Sequence, residues 1–545
     1  MSAGAPSLLR AGELAQAWAG QAQWRILETG FGPGLNFLAA WQAWRDDPQR
    51  PGLLHHCAID AQPLAADALL RAAAAHPELL PLAQQLAAQW SGMAPGFQRL
   101  GFEDGRVLLT LCVGEVQDML RAQDFSADTV LLAQAGPADL HTLKSVARLC
   151  RRGSRVALAS PVTAEARAMA QCGFAADPED TERSSLEPGW EPRVLRAASS
   201  VATGSCAVVG GGLAGAAVAA SLARRGWQVQ VLDAHDQPAG GASGLPVGLL
   251  APHQSPDDDL LSRLGRAGVR LTLQQAAAQL QAGQDWQGSG VREQRPGEPA
   301  VWHPQGAWIK PAALVQAWLR RSGIQWRGQS PVARLTAQAD GGWELLGAGG
   351  TVLARADLVV VACAHGSEAL LEAGLPLQPV RGQVSWAPRA EGQDFPAFPV
   401  NGHGYFVTAF PLEGAPAWLC GAGFDRDDTG CDLREADHQA NLARLRELLP
   451  EVADQLAGEF ARGAVQGWAG VRCSSADRRP LLGQLRPGLW TSSAMGSRGL
   501  TFAVLCAELL AARLHGEPLP LPRKLAATLD VQRQTSLQPA LNGPE

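Results

Sequence analysis

Residues 206–233, CAVVGGGLAGAAVAASLARRGWQVQVLD, constrain the fold more than any other part of the chain. A short apolar run meets three consecutive glycines, and a helix pattern of small residues follows them. A second apolar run then ends at Asp233. This order predicts a strand, a glycine-rich turn, a helix and a second strand, the start of an α/β unit with a parallel sheet.

The three glycines that matter in this turn have the spacing Gly210-x-Gly212-x-x-Gly215. In a dinucleotide fold, the first permits the tight turn, the second lets a pyrophosphate approach the helix N-terminus, and the third lets helix and strand pack closely. Asp233 ends the second strand, where a carboxylate can accept a hydrogen bond from a ribose hydroxyl. The pattern therefore predicts dinucleotide binding, with a purely structural glycine turn as the alternative.

Length and charge limit the class of protein. With 545 residues, of which 46% are hydrophobic and 18% charged, the chain is long enough for two to four globular domains. Because the net charge is −6, local patches rather than the whole surface must hold any nucleic acid.

The sequence also argues against a membrane or a metal site. No apolar run approaches the roughly 20 residues that span a bilayer. Ten scattered cysteines without a Cys-x-x-Cys pair are typical of a reduced, cytoplasmic protein without a disulfide framework. The sequence indicates no oligomeric state.

A second glycine turn lies near the N-terminus. An apolar strand pattern ends at Glu28, Gly30, Gly32 and Gly34 follow, and a helix pattern begins at Leu35. The next strand pattern ends at Asp60, where a carboxylate can bind a ribose. An acid before the glycines suits S-adenosylmethionine better than a flavin, and the alternative is a generic α/β turn.

Alternating strand and helix patterns in the first 195 residues predict a doubly wound sheet. Arg148, Arg151, Arg152 and Arg155 form a basic cluster, which we interpret as a solvated helix end, with an RNA phosphate contact as the alternative. Residues 178–204 lose periodicity and are predicted to be a linker.

The C-terminal part supplies further cofactor candidates. The small residues Gly241, Ala242 and Ser243 would let a planar cofactor lie against the backbone. A strand pattern at 489–494 then leads into a turn and a helix to 514, and this helix N-terminus could stabilise the negative charge of a reduced flavin. Between these parts lies a β-rich section that contains Tyr405, the only tyrosine.

Several motifs occur together in this chain. Its second half contains GGGLAGAAVAASLARRGWQV, the GASG loop (residues 241–244), PVRGQV, WAGVRC with the following Asp477, and GSRGLT, and its first half contains ETGFGPGLNFL and PGFQRLGFEDGRVLLTL. In these motifs the chain resembles the flavin half and the methyltransferase half, in the same order, of the MnmC family, two-domain bacterial proteins that mature 5-methylaminomethyl-2-thiouridine at the tRNA wobble position.

This resemblance implies an α/β fold with a Rossmann-like methyltransferase domain at 1–195 and an FAD-binding Rossmann domain with an inserted β-rich substrate domain at 205–545. FAD would oxidise the C–N bond of a carboxymethylaminomethyl group on tRNA, and S-adenosylmethionine would then methylate the resulting amine. The residues expected to bind FAD are Gly210, Gly212, Gly215, Asp233, Gly241, Ala242, Ser243, Gly496, Arg498, Gly499, Leu500 and Thr501. Those expected to bind S-adenosylmethionine are Glu28, Gly30, Gly32, Gly34 and Asp60.

Two residues of the β-rich section are the catalytic candidates. Arg472 lies in a segment that resembles the family's substrate-side Gly-Val-Arg, and a guanidinium can clamp a carboxylate through two hydrogen bonds. Tyr405 is the second candidate. The alternatives are a structural surface arginine and an ordinary strand aromatic.

The chain departs from the family pattern in both halves. Leu245 follows the GASG loop where the family usually has Asn. Ala133 and Ala135 replace the acid and the aromatic of the family's Asp-Gly-Phe-Ala-Pro, although Asp139 follows six residues after Ala133. The chain also begins shortly before its first glycine turn, so we expect the family's preceding segment to be missing.

Three functions follow from these patterns. The first is a working two-step tRNA enzyme, and the second is a wobble-uridine FAD oxidoreductase whose N-terminal half is a degenerate methyltransferase. The third is a small-molecule amine or amino-acid oxidase with a non-catalytic N-terminal binding module. We favour the second.

Overall fold

The computed structural model describes residues 11–133, 138–158, 163–180, 182–191, 201–295, 297–371 and 374–535. The chain forms two compact units, one comprising Met1–Ala202 with Ala511–Ala527 and the other Thr203–Leu510 with Thr528–Glu545. Among the described residues, every helix is too short or too polar to cross a membrane. All ten cysteines are free thiols.

The first unit is an eight-stranded sheet with helices between its strands. Its elements up to residue 202 are α1 (Ala11–Trp18), β1 (Gln23–Glu28), α2 (Leu35–Asp46), β2 (Leu53–Asp60), α3 (Ala66–Ala73), α4 (Leu80–Ala88), β3 (Gly96–Phe102), β4 (Val107–Val113), α5 (Val116–Arg121), β5 (Ala127–Leu132), α6 (Leu140–Arg148), β6 (Cys150–Leu158), α7 (Thr163–Gln171), β7 (Phe174–Ala176) and β8 (Arg183–Leu186).

The strand order in this sheet is β3-β4-β2-β1-β5-β6-β8-β7. Strands β4, β2, β1, β5 and β6 run parallel, and β3, β7 and β8 pair antiparallel with their neighbours. All seven residues of β4 are buried, as a parallel strand covered on both faces requires. Strand β1 lies between β2 and β5, so the strand order reverses beside it, where doubly wound folds bind ligands.

Two predictions for this unit were wrong in detail. The proposed linker contains β8, which pairs antiparallel with β6 at the edge of the sheet. Arg151, Arg152 and Arg155 lie on β6 rather than at a helix end. Arg151 binds the buried carboxylate of Asp128 at 2.7 Å, so this arginine is structural.

The segment Ala511–Ala527 belongs to the first unit, whereas the sequence prediction assigned all of residues 205–545 to the second domain. The guanidinium of Arg25 donates to the carbonyl oxygen of Gly516 at 3.0 Å, and that of Arg99 donates to the carbonyl of Pro518. Because buried cations need acceptors, these two arginines recruit a segment that is distant in sequence.

The second unit contains the remaining strands and the C-terminal helices. In chain order the elements are β9 (Ser205–Val209), α8 (Leu213–Arg224), β10 (Gln228–Leu232), β11 (Gly248–Leu250), α9 (Leu260–Gln279), β12 (Trp286–Gln287), β13 (Val291–Glu293), β14 (Val301–His303), β15 (Ala307–Ile309), α10 (Pro311–Leu319), β16 (Ile324–Arg327), β17 (Arg334–Ala337), β18 (Trp343–Leu346), β19 (Val352–Ala356), β20 (Leu358–Val361), α11 (Gly366–Leu370), β21 (Leu377–Pro388), β22 (Val400–Gly402), β23 (Gly404–Leu412), β24 (Ala415–Gly421), β25 (Asp425–Arg426), α12 (Glu435–Leu448), α13 (Pro450–Ala461), β26 (Gln466–Ser475), β27 (Leu481–Arg486), β28 (Leu489–Ser493), α14 (Gly499–His515), α15 (Arg523–Ala527, in the first unit) and α16 (Gln532–Thr535).

Two large sheets organise this unit. The first has the order β16-β10-β9-β20-β28-β27 and is parallel except for β27. The second is mostly antiparallel, with the order β14-β13-β22-β23-β24-β21-β25 and with β26 paired to β21. Most of its strands lie between β20 and β28 in the chain, so the predicted fold class, a Rossmann domain with an inserted β-rich part, is confirmed.

Candidate active site

The turn after β9 is shaped by contacts that only glycine allows. Gly210 has φ +109°, and Gly212 is the N-cap residue of α8. A Cβ on Gly215 would lie 1.8 Å from the carbonyl oxygen of Gly210. The first turn of α8 therefore lies directly against the end of β9, and its N–H groups point out of the sheet edge.

Two side chains border these N–H groups. Asp233 follows β10, and its Oδ2 accepts a hydrogen bond from the N–H of Gly211 at 2.6 Å. Ser243 lies in the short helical turn Ala242–Gly244, for which Gly241 is the N-cap, and its Oγ accepts from the N–H of Leu213 at 2.9 Å. A carboxylate and a hydroxyl thus lie beside the N-terminus of one helix.

The N-terminus of α14 lies beside that of α8. A Cβ on Gly499 would be 3.1 Å from the side chain of Leu213, the first residue of α8. Helix α9 fixes the first turn of α14, because Thr272 Oγ1 donates to the carbonyl of Leu500 at 2.7 Å. The carbonyl of Thr501 also fills the space beside Gly268 of α9, where a Cβ would lie 2.0 Å away.

The short turn before α14 carries the last predicted FAD residues. Gly496 has φ +56° and opens the turn Gly496–Arg498. Arg498 is half-buried, and burial, together with the nearby charge of Arg478, lowers the pKa of its guanidinium.

These residues fit FAD. Two adjacent helix N-termini favour negative charge, as a pyrophosphate and a reduced flavin carry. Side chains are excluded at both glycines, because a Cβ on Gly210 would lie 2.6 Å from the carbonyl oxygen of Ala362 and a Cβ on Gly212 would lie 2.9 Å from Ser243 Oγ. The backbone of the turn is therefore bare beside the helix N-terminus. The structure therefore places the predicted FAD residues of β9, α8 and α14 at one end of one sheet.

Arg472 lies on β26 and Tyr405 on β23 of the antiparallel sheet, and the two side chains are close enough to interact electrostatically. Arg472 pairs with Val380 of β21, and its Nη1 donates to the carbonyl of Gly423 at 3.0 Å. Its guanidinium lies across Gly382, where a Cβ would be 2.1 Å from Nη2. In the described part of the chain, no carboxylate forms an ion pair with Arg472. The guanidinium can therefore bind an anionic ligand.

Burial sets the protonation of both groups. It lowers the pKa of the Arg472 guanidinium, which the nearby Tyr405 partly opposes. It raises the pKa of the Tyr405 phenol well above its usual value, although the charge of Arg472 opposes this shift. At neutral pH the pair is therefore a cation beside a neutral hydroxyl donor.

Asp477, which belongs to the family-like WAGVRC segment, has a structural role. Its carboxylate accepts hydrogen bonds from Arg533 at 2.9 Å, from Arg479 at 2.7 Å and from Ser475 at 2.9 Å. Burial raises its pKa, but the hydrogen bonds from Arg533 and Ser475 outweigh burial and hold the pKa well below the usual range. Asp477 thus attaches the C-terminal segment to the end of β26.

Trp468 also lies in this region, although the sequence predicted no separate role for it. Its indole lies over Gly470, where a Cβ would be 2.4 Å from the ring. Its Nε1 would be 3.7 Å from a Cβ on Gly244, so the ring lies beside the GASG loop. The glycine two residues further along the same strand was the only available signal, because residues i and i+2 share one face.

The predicted S-adenosylmethionine residues also lie together, in the first unit. Gly30, Gly32 and Gly34 have φ values of +144°, +51° and +76°, so each needs glycine. Asp60 ends β2, and its Oδ2 accepts from the N–H of Gly32 at 3.0 Å.

Glu28 is fully buried behind this turn. One carboxylate oxygen accepts from the amide of Asn36 at 2.6 Å, and the other lies 2.8 Å from Nε2 of His56. Glu28 therefore ties the glycine turn to α2 and β2. Glu28 would therefore act on an adenosyl cofactor only through the turn that it holds.

The departures from the family pattern lie after β5. Ala133 is the first residue beyond that strand and is half-buried, whereas Ala135 lies outside the described residues. Asp139 caps α6, because its Oδ1 accepts from the N–H of Thr142 at 2.6 Å. This backbone hydrogen bond lowers the pKa of Asp139.

Comparison with known proteins extends these observations. The model of the FAD dependent oxidoreductase family matches residues 205–293 and 273–513. The tRNA 5-methylaminomethyl-2-thiouridine biosynthesis bifunctional protein MnmC of Polaromonas sp. (strain JS666 / ATCC BAA-500) is 50% identical over 95% of this chain and 92% of its own length. The protein of the same description from Polaromonas naphthalenivorans (strain CJ2) is 49% identical over 97% of this chain and 93% of its own.

A solved structure is similar in fold. Glycine oxidase from Geobacillus kaustophilus is 20% identical and covers 60% of this chain and 98% of its own, with a TM-score of 0.51. At this identity the similarity concerns the fold alone.

Proposed function

Because this chain belongs to the MnmC family of bifunctional tRNA-modification proteins, we propose that it modifies the wobble uridine of tRNA. Its second unit is an FAD-dependent oxidoreductase acting on a C–N bond. The substrate group is the carboxymethylaminomethyl group at C5 of the uracil, with or without 2-thiolation. Two-electron oxidation of the C–N bond on the carboxymethyl side, with FAD as the acceptor, would give an imine. Its hydrolysis would release the two-carbon fragment as glyoxylate and leave the aminomethyl group on the base.

FAD supplies the electron acceptor for this oxidation, and the protein supplies its placement. The N–H groups at the start of α8 would bind the pyrophosphate, and Asp233 would accept from the ribose. The N-terminus of α14 would favour negative charge on the flavin ring. The observation that carries this assignment is the adjacency of the two helix N-termini, since a Cβ on Gly499 of α14 would lie 3.1 Å from the side chain of Leu213 of α8.

Arg472 binds the carboxylate of the substrate group in this proposal. Its guanidinium is half-buried and forms a hydrogen bond with only one backbone carbonyl among the described residues, which leaves donors for an anion. Tyr405 stays neutral, so its hydroxyl can donate to the same carboxylate or to the amine nitrogen. These two side chains would orient the C–N bond toward the flavin.

Kinetics of two Arg472 variants test this assignment. With FAD-loaded full-length protein and tRNA carrying the carboxymethylaminomethyl group, Arg472→Ala should raise KM roughly 10- to 150-fold, as loss of about 1.5–3 kcal/mol of charged hydrogen bonding predicts. Arg472→Lys should recover only part of this loss, because an ammonium lacks the planar fork.

The control is Arg334→Ala, which removes an exposed arginine from the separate β17-β18-β19 sheet. It should leave KM unchanged and FAD bound. If Arg472→Ala has wild-type kinetics, Arg472 does not bind the substrate.

The first unit serves, in this proposal, as a binding module that retains the shape of a methyltransferase. A small-molecule amine oxidase with an unrelated N-terminal domain is disfavoured, since the similarity to the relatives extends over 95% of the chain. Ten free thiols and a tRNA substrate favour a cytoplasmic protein. Mass spectrometry of wobble nucleosides from a deletion strain distinguishes these functions, because only loss of a tRNA-modifying oxidase accumulates the carboxymethylaminomethyl nucleoside.

A further inference from the structure

A large aromatic side chain is exposed beside Arg472. Phe424 lies between β24 and β25 with 49% of its surface accessible to water. A single exposed apolar residue is normal on a protein surface. Phe424, however, lies next to the guanidinium that binds the substrate carboxylate in our proposal, and this location suggests a functional role.

The backbone on both sides of Phe424 is fixed. On one side, the N–H of Gly423 donates to the carbonyl of Gln383 at 3.2 Å, and the carbonyl of Gly423 accepts from Arg472. On the other side, Asp425 and the residue after it pair with β21. Phe424 is therefore presented to solvent from a rigid part of the sheet, which favours a binding role.

Contact with Arg472 does not account for the exposed ring. The guanidinium carbon of Arg472 lies 5.9 Å from the ring centroid, at the outer limit of a cation–π contact. With 49% of the residue exposed, much of its surface is available to a second planar group.

The separation of Phe424 and Arg472 matches the substrate group. Four covalent bonds join C5 of the uracil to the carboxylate carbon of a carboxymethylaminomethyl group, a reach of about 5 Å when extended. If the carboxylate binds to Arg472, the uracil ring would come within stacking distance of Phe424, whose ring centroid lies about 6 Å from the guanidinium.

We propose that Phe424 is the platform on which the uracil ring of the substrate nucleotide stacks. This inference rests on the assignment of Arg472 to the substrate carboxylate. Unpaired RNA bases are commonly bound by stacking on aromatic side chains, and every base has a flat face to offer. Phe424 and Arg472 together would then recognise a base and an acid at the correct separation, which selects a modified nucleotide over a free amino acid.

The charge of the loop favours a base over a phosphate at this position. Asp425, Asp427 and Asp428 follow Phe424 within four residues, with Arg426 as the only cation among them. Asp428 is neutralised by Arg434 at 2.6 Å, whereas Asp427 is exposed. An acidic loop repels the RNA backbone, so the group that reaches Phe424 should be the neutral base.

Three variants of the FAD-loaded full-length protein test the inference. Phe424→Leu keeps an apolar side chain but removes the aromatic face, and it should lower kcat/KM for the modified tRNA about 5- to 150-fold, the equivalent of ~1–3 kcal/mol per stacked base. Phe424→Trp should retain most of the activity. Trp302→Leu is the matched control, because Trp302 is 48% exposed on the edge strand β14 of the same sheet, and this variant should have wild-type kinetics.

A ring-free carboxylate distinguishes stacking from an effect on Arg472. Methoxyacetate should perturb the flavin absorbance spectrum with the same Kd in wild type and Phe424→Leu, whereas Arg472→Ala should lose this binding. A weaker Kd in Phe424→Leu would show that Phe424 only orients Arg472 and would overturn the inference. Unchanged kcat/KM in Phe424→Leu would overturn it as well. If methoxyacetate binds equally to wild type and Arg472→Ala, the assignment of Arg472 fails instead.

Discussion

The addition of a single carbon atom at Gly215 should greatly weaken the binding of FAD. In Gly215→Ala, the new Cβ would lie 1.8 Å from the carbonyl oxygen of Gly210. Non-bonded heavy atoms rest at about 3.5 Å, so helix α8 and the glycine turn must move apart by about 1.7 Å. The opposing atom belongs to the backbone, and no rotamer change relieves the contact.

The displacement should affect binding more than folding. Overpacking typically costs about 1–3 kcal/mol, and this case belongs at the upper end because α8 is buried along most of its length. A shift of this size also stretches hydrogen bonds from the helix N-terminus to a pyrophosphate from about 2.9 Å to beyond the ~3.5 Å limit. Loss of two such charge-assisted bonds should raise the Kd for FAD by at least about 100-fold.

The assay compares the flavin content of purified Gly215→Ala with that of wild type, by the ratio of visible to ultraviolet absorbance, and then titrates FAD back. Gly349→Ala is the control, because its Cβ would meet nothing within 4 Å and its φ is not positive. We expect a colourless Gly215→Ala protein and a yellow Gly349→Ala protein. A Gly215→Ala protein that retains stoichiometric FAD and the wild-type melting temperature would refute the close packing of α8 against β9 as the basis of the site.

Further predictions concern three other positions. The Gly212→Val protein should also lose FAD, because a side chain at this position occupies the space in front of the helix N-terminus. Its Cβ would also lie 2.9 Å from Ser243 Oγ. Flavin absorbance of the purified variant measures the loss. Tyr405 should contribute no pH-dependent step to kcat/KM below about pH 10, because burial raises its pKa and keeps the phenol neutral; pH profiles of wild type and Tyr405→Phe that differ in shape would contradict this. Asp477→Asn should lower the free energy of unfolding by about 2 kcal/mol near neutral pH. Because the pKa of Asp477 is depressed in the folded state, this stabilisation is present above the unfolded pKa of about 4 and decreases at lower pH, so denaturant titrations of wild type and variant should converge there.

Features that depend on neighbours in the sequence could be predicted. The contact between Gly215 and Gly210 spans five residues, so the glycine spacing alone specified it. Strand β4 could be predicted because a strand covered on both faces has a continuous apolar sequence. The same reasoning located the strand, turn and helix at both glycine-rich sites.

Features that depend on distant partners could not be predicted. Arg533 binds Asp477 from 56 positions away, and no pattern in either segment marks the pair. The four residues of β8 are too few for a period to be visible, and only Leu186 is fully buried. Phe424 has no distinguishing sequence signal, because its presentation depends on the pairing of β25 with β21.

The last prediction is that the first unit does not complete a methyl transfer. A methyl acceptor amine must present its lone pair, which requires a nearby group that accepts its proton and orients it. The family places an acid where this chain has Ala133, and the nearest following acid, Asp139, is committed to capping α6 through Thr142 at 2.6 Å. Its lowered pKa makes Asp139 a weaker base as well. We therefore expect wild-type protein with tRNA, FAD and S-adenosylmethionine to accumulate the aminomethyl nucleoside, as measured by mass spectrometry. Ala133→Asp tests the cause directly, because an acid after β5 should produce some methylaminomethyl nucleoside while FAD-dependent oxidation is unchanged. Methylaminomethyl nucleoside formed by the wild-type protein alone would establish a complete two-step enzyme, in which a group other than the family acid prepares the amine.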